Sequence, residues 1–141
     1  MHSILIPVDG SSHSKHAIKY AISSIKEGLR AEIHLINVQP DILPMGDLPL
    51  IDLDLVEKSQ HEQSKKVIRS ASRLLRNAGL SYTKNISKGS IANNIVSYAK
   101  EHGCNSIIMG TRGMGLIGNV ILGSTSNQVV RLAKIPVTLV K

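Results

Sequence analysis

The sequence of 141 residues contains neither Phe nor Trp, and its only tyrosines are Tyr20, Tyr82 and Tyr98. A core must therefore be built from Ile, Leu, Val and Ala, and no large aromatic platform is available to stack on a ring. Cysteine is nearly absent as well. The single Cys104 excludes a disulfide framework and gives no sign of an oxidising compartment. No basic leader with a long apolar region is visible, because Ile4, Leu5 and Ile6 run straight into Pro7 and Asp9. No stretch approaches the roughly 18 apolar residues of a membrane span. These absences together lead us to expect a cytoplasmic protein.

The 42% hydrophobic and 19% charged content excludes a disordered polymer, and Gly 11 and Pro 5 exclude a collagenous or proline-rich chain. A chain of this length buries about two thirds of its unfolded surface, enough for a core, so one domain over residues 1–141 is expected. The net charge of +7 is unevenly spread. Residues 1–62 carry five Lys/Arg against nine Asp/Glu, whereas residues 63–141 carry twelve against the single Glu101. The second half is thus suited to an anion: the phosphates of a small molecule, nucleic acid or an acidic surface.

Along the chain, Ser3 to Val8 reads as a buried strand that meets a turn at Asp9-Gly10. Ser11 or Ser12 then caps a helix with Ala17, Ile18, Ala21, Ile22 and Ile25 at helical spacing and Gly28 near its end. Ala31 to Val38 is the second strand. Gln39 to Leu50, with Pro40, Pro44, Gly46 and Pro49, is the one long irregular loop, a candidate lid or edge insertion. From about Ile51 to Ala78 the pattern is helical, with Val67, Ile68, Ala71, Leu74, Leu75 and Ala78 on one side and Gly79 as the stop. Lys65, Arg69, Arg73 and Arg76 lie on another face, and Asp54 with Lys58 and Glu62 with Lys66 are spaced to pair. Leu80 to Ser87 makes a third strand. Ile91, Ala92, Ile95, Val96 and Ala99 form a third helix, closed by Gly103. Asn105 to Gly110 is a fourth strand, Gly123 to Ala133 a fourth helix and Pro136 to Val140 a last strand. Strict alternation of strand and helix predicts an α/β fold: a parallel sheet with helices on both faces. In such sheets a ligand sits beyond the carboxyl ends of the strands where the strand order reverses. With the order 3-2-1-4-5, that crevice opens between strands one and four, at Asp9 and Gly110.

The richest local signal is Met109 to Ser126, MGTRGMGLIGNVILGSTS. Gly110, Gly113, Gly115, Gly118 and Gly123 allow backbone amides to approach a ligand, and Gly123-Ser124-Thr125-Ser126 opens a helix whose free N–H groups and dipole favour a phosphate. Arg112 adds a positive charge. No glycine spacing here delivers the Lys followed by Ser or Thr of a Walker loop. Gly113-Met-Gly115-Leu-Ile-Gly118 does match a dinucleotide fingerprint, but it follows the fourth strand and no acidic residue occurs after Glu101, so NAD binding is set aside.

The spacing Gly110-x2-Gly113-x9-Gly123-Ser124 does fit one family. With the opening ILIPVDGS, the segment LINV ending at Val38 and the closing IPVTLV, the chain resembles the universal stress protein family in its nucleotide-binding form, from Ser3 to Val140. The resemblance implies a five-stranded fold of the adenine nucleotide alpha hydrolase-like kind that binds ATP, often as a dimer. By position, Pro7, Val8 and Asp9 would line the adenosine, and Val38 would offer backbone contacts to adenine. Met109, Gly110, Arg112 and Gly113 would touch ribose and phosphates. Gly123, Ser124, Thr125 and Ser126 would hold the phosphates. The ligand implied is ATP, or ADP or AMP, with Mg²⁺ held mainly by the phosphates. Without Phe or Trp, aliphatic Pro7, Val38 and Met109 would have to flank the base, and Asp9 could accept from a ribose hydroxyl or an adenine amino group. Several hydrogen bonds to charged phosphate, less ordering costs, put the expected Kd around micromolar, about −8 kcal/mol.

Blander readings apply to several residues. Asp9 can close an Asx turn, and Arg112 can be a solvated loop side chain. His13 and His16 lack any H-E-x-x-H context, so no metal site is expected. Cys104 has no activating partner and reads as a small packed residue. No Ser has Gly at both −2 and +2, so a hydrolase elbow is absent. Some members of the family hydrolyse ATP slowly or phosphorylate themselves, yet no general base accompanies Ser124, Thr125 and Ser126. A nucleotide-dependent regulator of stress response or survival is expected, with at most weak ATPase or autokinase activity. The competing classes are nucleic-acid binding through Lys65, Arg69, Arg73 and Arg76, weakened by the lack of aromatic platforms, and a non-nucleotide dimer module. The apolar edge strand Ile135 to Val140 invites pairing with a second copy, so a homodimer is expected.

Overall fold

The computed structural model describes residues 1–42, 52–112 and 122–141. Nine elements follow in order: β1 (His2–Pro7), α1 (Ser12–Lys26), β2 (Ala31–Gln39), α2 (Leu53–Asn77), β3 (Tyr82–Lys88), α3 (Ile91–Glu101), β4 (Ser106–Gly110), α4 (Ser124–Leu132) and β5 (Val137–Val140). The strands form one parallel sheet, as the alternating pattern predicts, and their order is β3-β2-β1-β4-β5, the one expected.

The period of two along each strand divides the core. Ile4 and Ile6 of β1, Ile33 and Leu35 of β2 and Ile108 of β4 pack with Ala17, Ile18 and Ala21 of α1 and with Val67, Ile68, Ala71 and Leu75 of α2. On the other face Leu5, Ile36, Val38, Ile107 and Met109 pack with Ala92, Ile95, Tyr98 and Ala99 of α3 and Val129 of α4. Central strands covered on both faces explain why β1 reads as a continuous apolar run from Ile4 to Ile6 and why β2 is buried from Ile33 to Val38 although His34 and Asn37 interrupt its apolar residues. As the absence of Phe and Trp requires, the buried core is aliphatic. Tyr98 is the only tyrosine among the buried described residues.

Helix starts and stops follow local chemistry. The Ser11 hydroxyl accepts from the Ser14 N–H at 3.2 Å and caps α1, and Asp52 accepts from the Leu55 N–H at 3.2 Å and caps α2. The stop of α2 explains a displaced boundary. Gly79, at φ +75°, donates its N–H to the Arg76 carbonyl, and Leu80 donates to the Leu75 carbonyl, the paired bonds of a Schellman turn. Leu80 is therefore spent on closing the helix and packs on the core, so β3 starts at Tyr82 instead of Leu80. The same turn ends α3, where Cys104 donates its N–H to the Ala99 carbonyl at 2.8 Å. That buried position fits the reading of Cys104 as a packed residue.

The expected pairs within α2 are replaced by others. Among the described residues, Glu62 reaches Lys65 at 3.8 Å rather than Lys66, and Glu57 meets Lys88 of β3 at 2.9 Å. A helix neighbour three residues away is as close as one four away, and α2 runs back across β3 so that its first turns lie beside the strand's carboxyl end. Lys65, Arg69, Arg73 and Arg76 are exposed, opposite the buried Val67, Ile68, Ala71 and Leu75. No helix among the described residues is long and apolar enough to cross a membrane.

Candidate functional site

Three strands end at one cleft of about 410 Å³. Pro7, Val8 and Asp9 come from the end of β1, Val38 from β2, Met109 and Gly110 from β4, Arg112 from two residues beyond it, and Gly123, Ser124, Thr125 and Ser126 from the start of α4. Eleven of the twelve residues expected at a site thus line a single cavity at the carboxyl edge of the sheet, where β1 stands between β2 and β4 and the chain's path reverses. The twelfth, Gly113, lies in 113–121, outside the described residues, as do Gly115, Gly118 and the 43–51 part of the proline-rich loop.

Each wall has a local cause. The Asp9 carboxylate accepts from the Ser11 N–H at 2.9 Å, so the Asx turn is present, and Asp9 also lines the cleft. Gly110 is required by packing. A Cβ there would stand 2.7 Å from the carbonyl carbon and Cβ of His13, so β4 can approach the first turn of α1 only without a side chain. Its glycine character is accounted for by a neighbouring helix before any ligand is considered.

The start of α4 is fixed to the end of β4. Gly123 donates its N–H to the Thr111 carbonyl at 2.7 Å, and the buried Ser126 hydroxyl donates to the Gly110 carbonyl at 2.8 Å. The Ser126 proton is therefore committed to the scaffold. Ser124 is exposed, Thr125 is half-buried, and no side chain caps the helix. The first amides of α4 are left at the cleft wall with the positive end of the helix dipole behind them, which suits an anion. Arg112, half-buried, adds a positive side chain to the same cavity.

Asn37 joins the site from outside the residues expected there. It is 3% exposed, lines the cleft, and donates from Nδ2 to the Val8 carbonyl at 2.7 Å, tying the ends of β1 and β2 together. A polar residue inside the apolar run LINV was the available signal. Ser14 of α1, Gln63 of α2 and Ile91 of α3 also reach the cavity, from segments whose proximity only the tertiary fold creates.

Titratable groups shifted by burial lie away from the cleft. His34 of β2 is held below the usual imidazole range, first by burial, against the opposing pull of Glu32 and with a smaller push from His102. Its Nδ1 sits 2.8 Å from the Thr83 hydroxyl and 3.1 Å from that of Tyr98. Burial likewise raises the Cys104 thiol above its ordinary value. Among the described residues no three His, Cys, Asp or Glu side chains gather to hold a metal ion.

The model of the universal stress protein family matches residues 1–141. Universal stress protein MJ0531 of Methanocaldococcus jannaschii is 32% identical over 139 residues, 98% of this chain and 81% of that one. The universal stress protein in the QAH/OAS sulfhydrylase 3′ region of Thermus aquaticus is 34% identical over 144 residues, 99% of this chain and 98% of its own. Among solved structures, universal stress protein UspA from Lactobacillus plantarum superposes with a TM-score of 0.82 at 24% identity, covering 99% of this chain and 97% of that one. An Arabidopsis thaliana family protein solved with AMP bound gives 0.74 at 18% identity, covering 100% and 92%. The strand order, the five-stranded parallel sheet and the full-length match agree: the chain belongs to the universal stress protein family.

Proposed function

We propose that this chain binds ATP in the cleft at the carboxyl edge of the sheet and acts as a nucleotide-dependent regulator in a stress response. The observation that carries the reading is the convergence of an uncapped helix start, Arg112 and the Asp9 carboxylate around one cavity of about 410 Å³. Pro7, Val38 and Met109 supply aliphatic surface for adenine, and Asp9 accepts from a ribose hydroxyl or the adenine amino group. The phosphates lie against the amides of Ser124 and Thr125 and their hydroxyls, with Arg112 lining the same cavity. Ser126 holds the helix start in place through Gly110. Mg²⁺, if taken up with the nucleotide, is held mainly by the phosphates. The AMP-bound Arabidopsis relative supports an adenine nucleotide as ligand.

A cytoplasmic location, a single domain and a homodimer paired along β5 belong to the same reading. Among the described residues no paired carboxylate stands beside the phosphate-holding hydroxyls, and the turnover expected is at most slow. Titration calorimetry with ATP and Mg²⁺ tests the proposal. A Kd near micromolar is expected, about −8 kcal/mol, and no heat at millimolar ATP contradicts it. Incubation with γ-labelled ATP tests the absence of efficient chemistry, and stoichiometric label on the protein would overturn it.

A further inference from the structure

We propose that Gln39 makes the nucleotide cleft selective for a 6-amino purine over a 6-oxo purine, with Asn37 holding the Gln39 amide in the orientation that does so. The inference rests on the cleft being a nucleotide site and adds what tells one base from another there. Both side chains line the cavity, and Gln39 directly follows Val38, one of the aliphatic residues assigned to the base. The Gly89 N–H donates to the Gln39 carbonyl at 2.9 Å and so fixes the backbone at the end of β2.

Two hydrogen bonds in series decide which way the amide points. Asn37, buried, donates from Nδ2 to the Val8 carbonyl at 2.7 Å. Reversing its amide would set Oδ1 against that carbonyl oxygen, acceptor on acceptor at bonding distance, so Oδ1 is committed to accepting. It accepts from Gln39 Nε2 at 3.4 Å. Turned over, the Gln39 amide would bring Oε1 against Asn37 Oδ1, again two acceptors. The Gln39 nitrogen is thereby turned to Asn37, and Oε1 is the end of the side chain left for a ligand. An acceptor in that place discriminates at position 6 of a purine. The amino group of adenine donates to it, whereas the carbonyl of hypoxanthine or guanine would meet it oxygen to oxygen. The adenine amino group carries two hydrogens, so acceptance by Gln39 still leaves one for Asp9. Asn37 is a positioning residue that acts through Gln39.

The test is calorimetric titration of the full chain and its variants with ATP and with ITP, which differ only in the amino or oxo group at position 6 and the N1 proton that accompanies the oxo form. ATP should bind at least about tenfold more tightly than ITP, the worth of one hydrogen bond. Gln39 is half-buried, so Gln39→Leu should cut that ratio about tenfold with little change in melting temperature. Asn37→Ala should cut it as far although Gln39 is intact, because the freed amide can then turn either end to the base. Asn37→Ser provides the same readout should Asn37→Ala fail to fold. ATP bound no better than ITP, or a ratio that Gln39→Leu leaves unmoved, overturns base selection by Gln39 while the nucleotide cleft stands. A ratio unmoved in the Asn37 variants overturns the positioning role. Binding of neither nucleotide removes the cleft reading and this inference with it.

Discussion

At the scale of single residues, the candidate site is held by groups whose structural duties are as clear as their placement. Gly110 lets β4 close on α1, where a Cβ would meet His13 at 2.7 Å. We expect Gly110→Ala to cost about 1–3 kcal/mol, the usual penalty of overpacking, seen as a lower melting temperature even without nucleotide. An unchanged melting temperature would show that the spacing of β4 and α1 is not constrained there. Ser126 is the complementary case. Its hydroxyl is spent on the Gly110 carbonyl, so Ser126→Ala should cost about 1–3 kcal/mol of stability by leaving a buried acceptor unpaired. Denaturant unfolding checks this.

At the scale of elements, most boundaries were legible because helix caps and stops are local. Ser11 before α1 and Gly28, Gly79 and Gly103 after three helices mark the chain's own punctuation. Where reading and structure part, a competing local bond is responsible, as at Leu80, which serves the Schellman turn of α2 and not β3. The partner of Glu57 was not legible, because only the crossing of α2 over β3 brings Lys88 within reach. The site divides the same way. Motif residues close in sequence gather as expected, while Asn37, Ser14 and Gln63 reach the cleft from separate segments. Two elements carry predictions. Ser124→Glu places a negative charge on the first turn of α4 and should weaken ATP binding at least about tenfold, more than one charge-assisted bond lost, with little change in the melting temperature. Calorimetry on the variant reads this directly. For β5, the half-buried residues Val137 to Val140 form the sheet's outer strand, and sedimentation should report a dimer. A monomer at every concentration would remove that pairing.

At the scale of the whole molecule, the buried polar side chains among the described residues are hydroxyls, one amide and the imidazole of His34, so that histidine stands out in the response to acid. His34 in the folded chain has a lowered pKa, while in the unfolded chain it returns to about 6.5. Below that value the unfolded state takes up the proton first. Its contribution to stability is therefore complete above the unfolded pKa and is lost as pH falls through the folded one. His34→Gln should flatten the acid limb of melting temperature against pH, and an unchanged limb would assign acid sensitivity to other groups. The larger organisation serves the cleft: β1, β2 and β4 end together, and α4 starts where β4 stops, so charge and amides gather at one edge of the sheet. The most direct measurement is a crystal structure of the chain grown with ATP. The account predicts adenine between Pro7, Val38 and Met109 with phosphates on the amides of Ser124 and Thr125. Nucleotide bound elsewhere, or an empty cleft at saturating ATP, would contradict it.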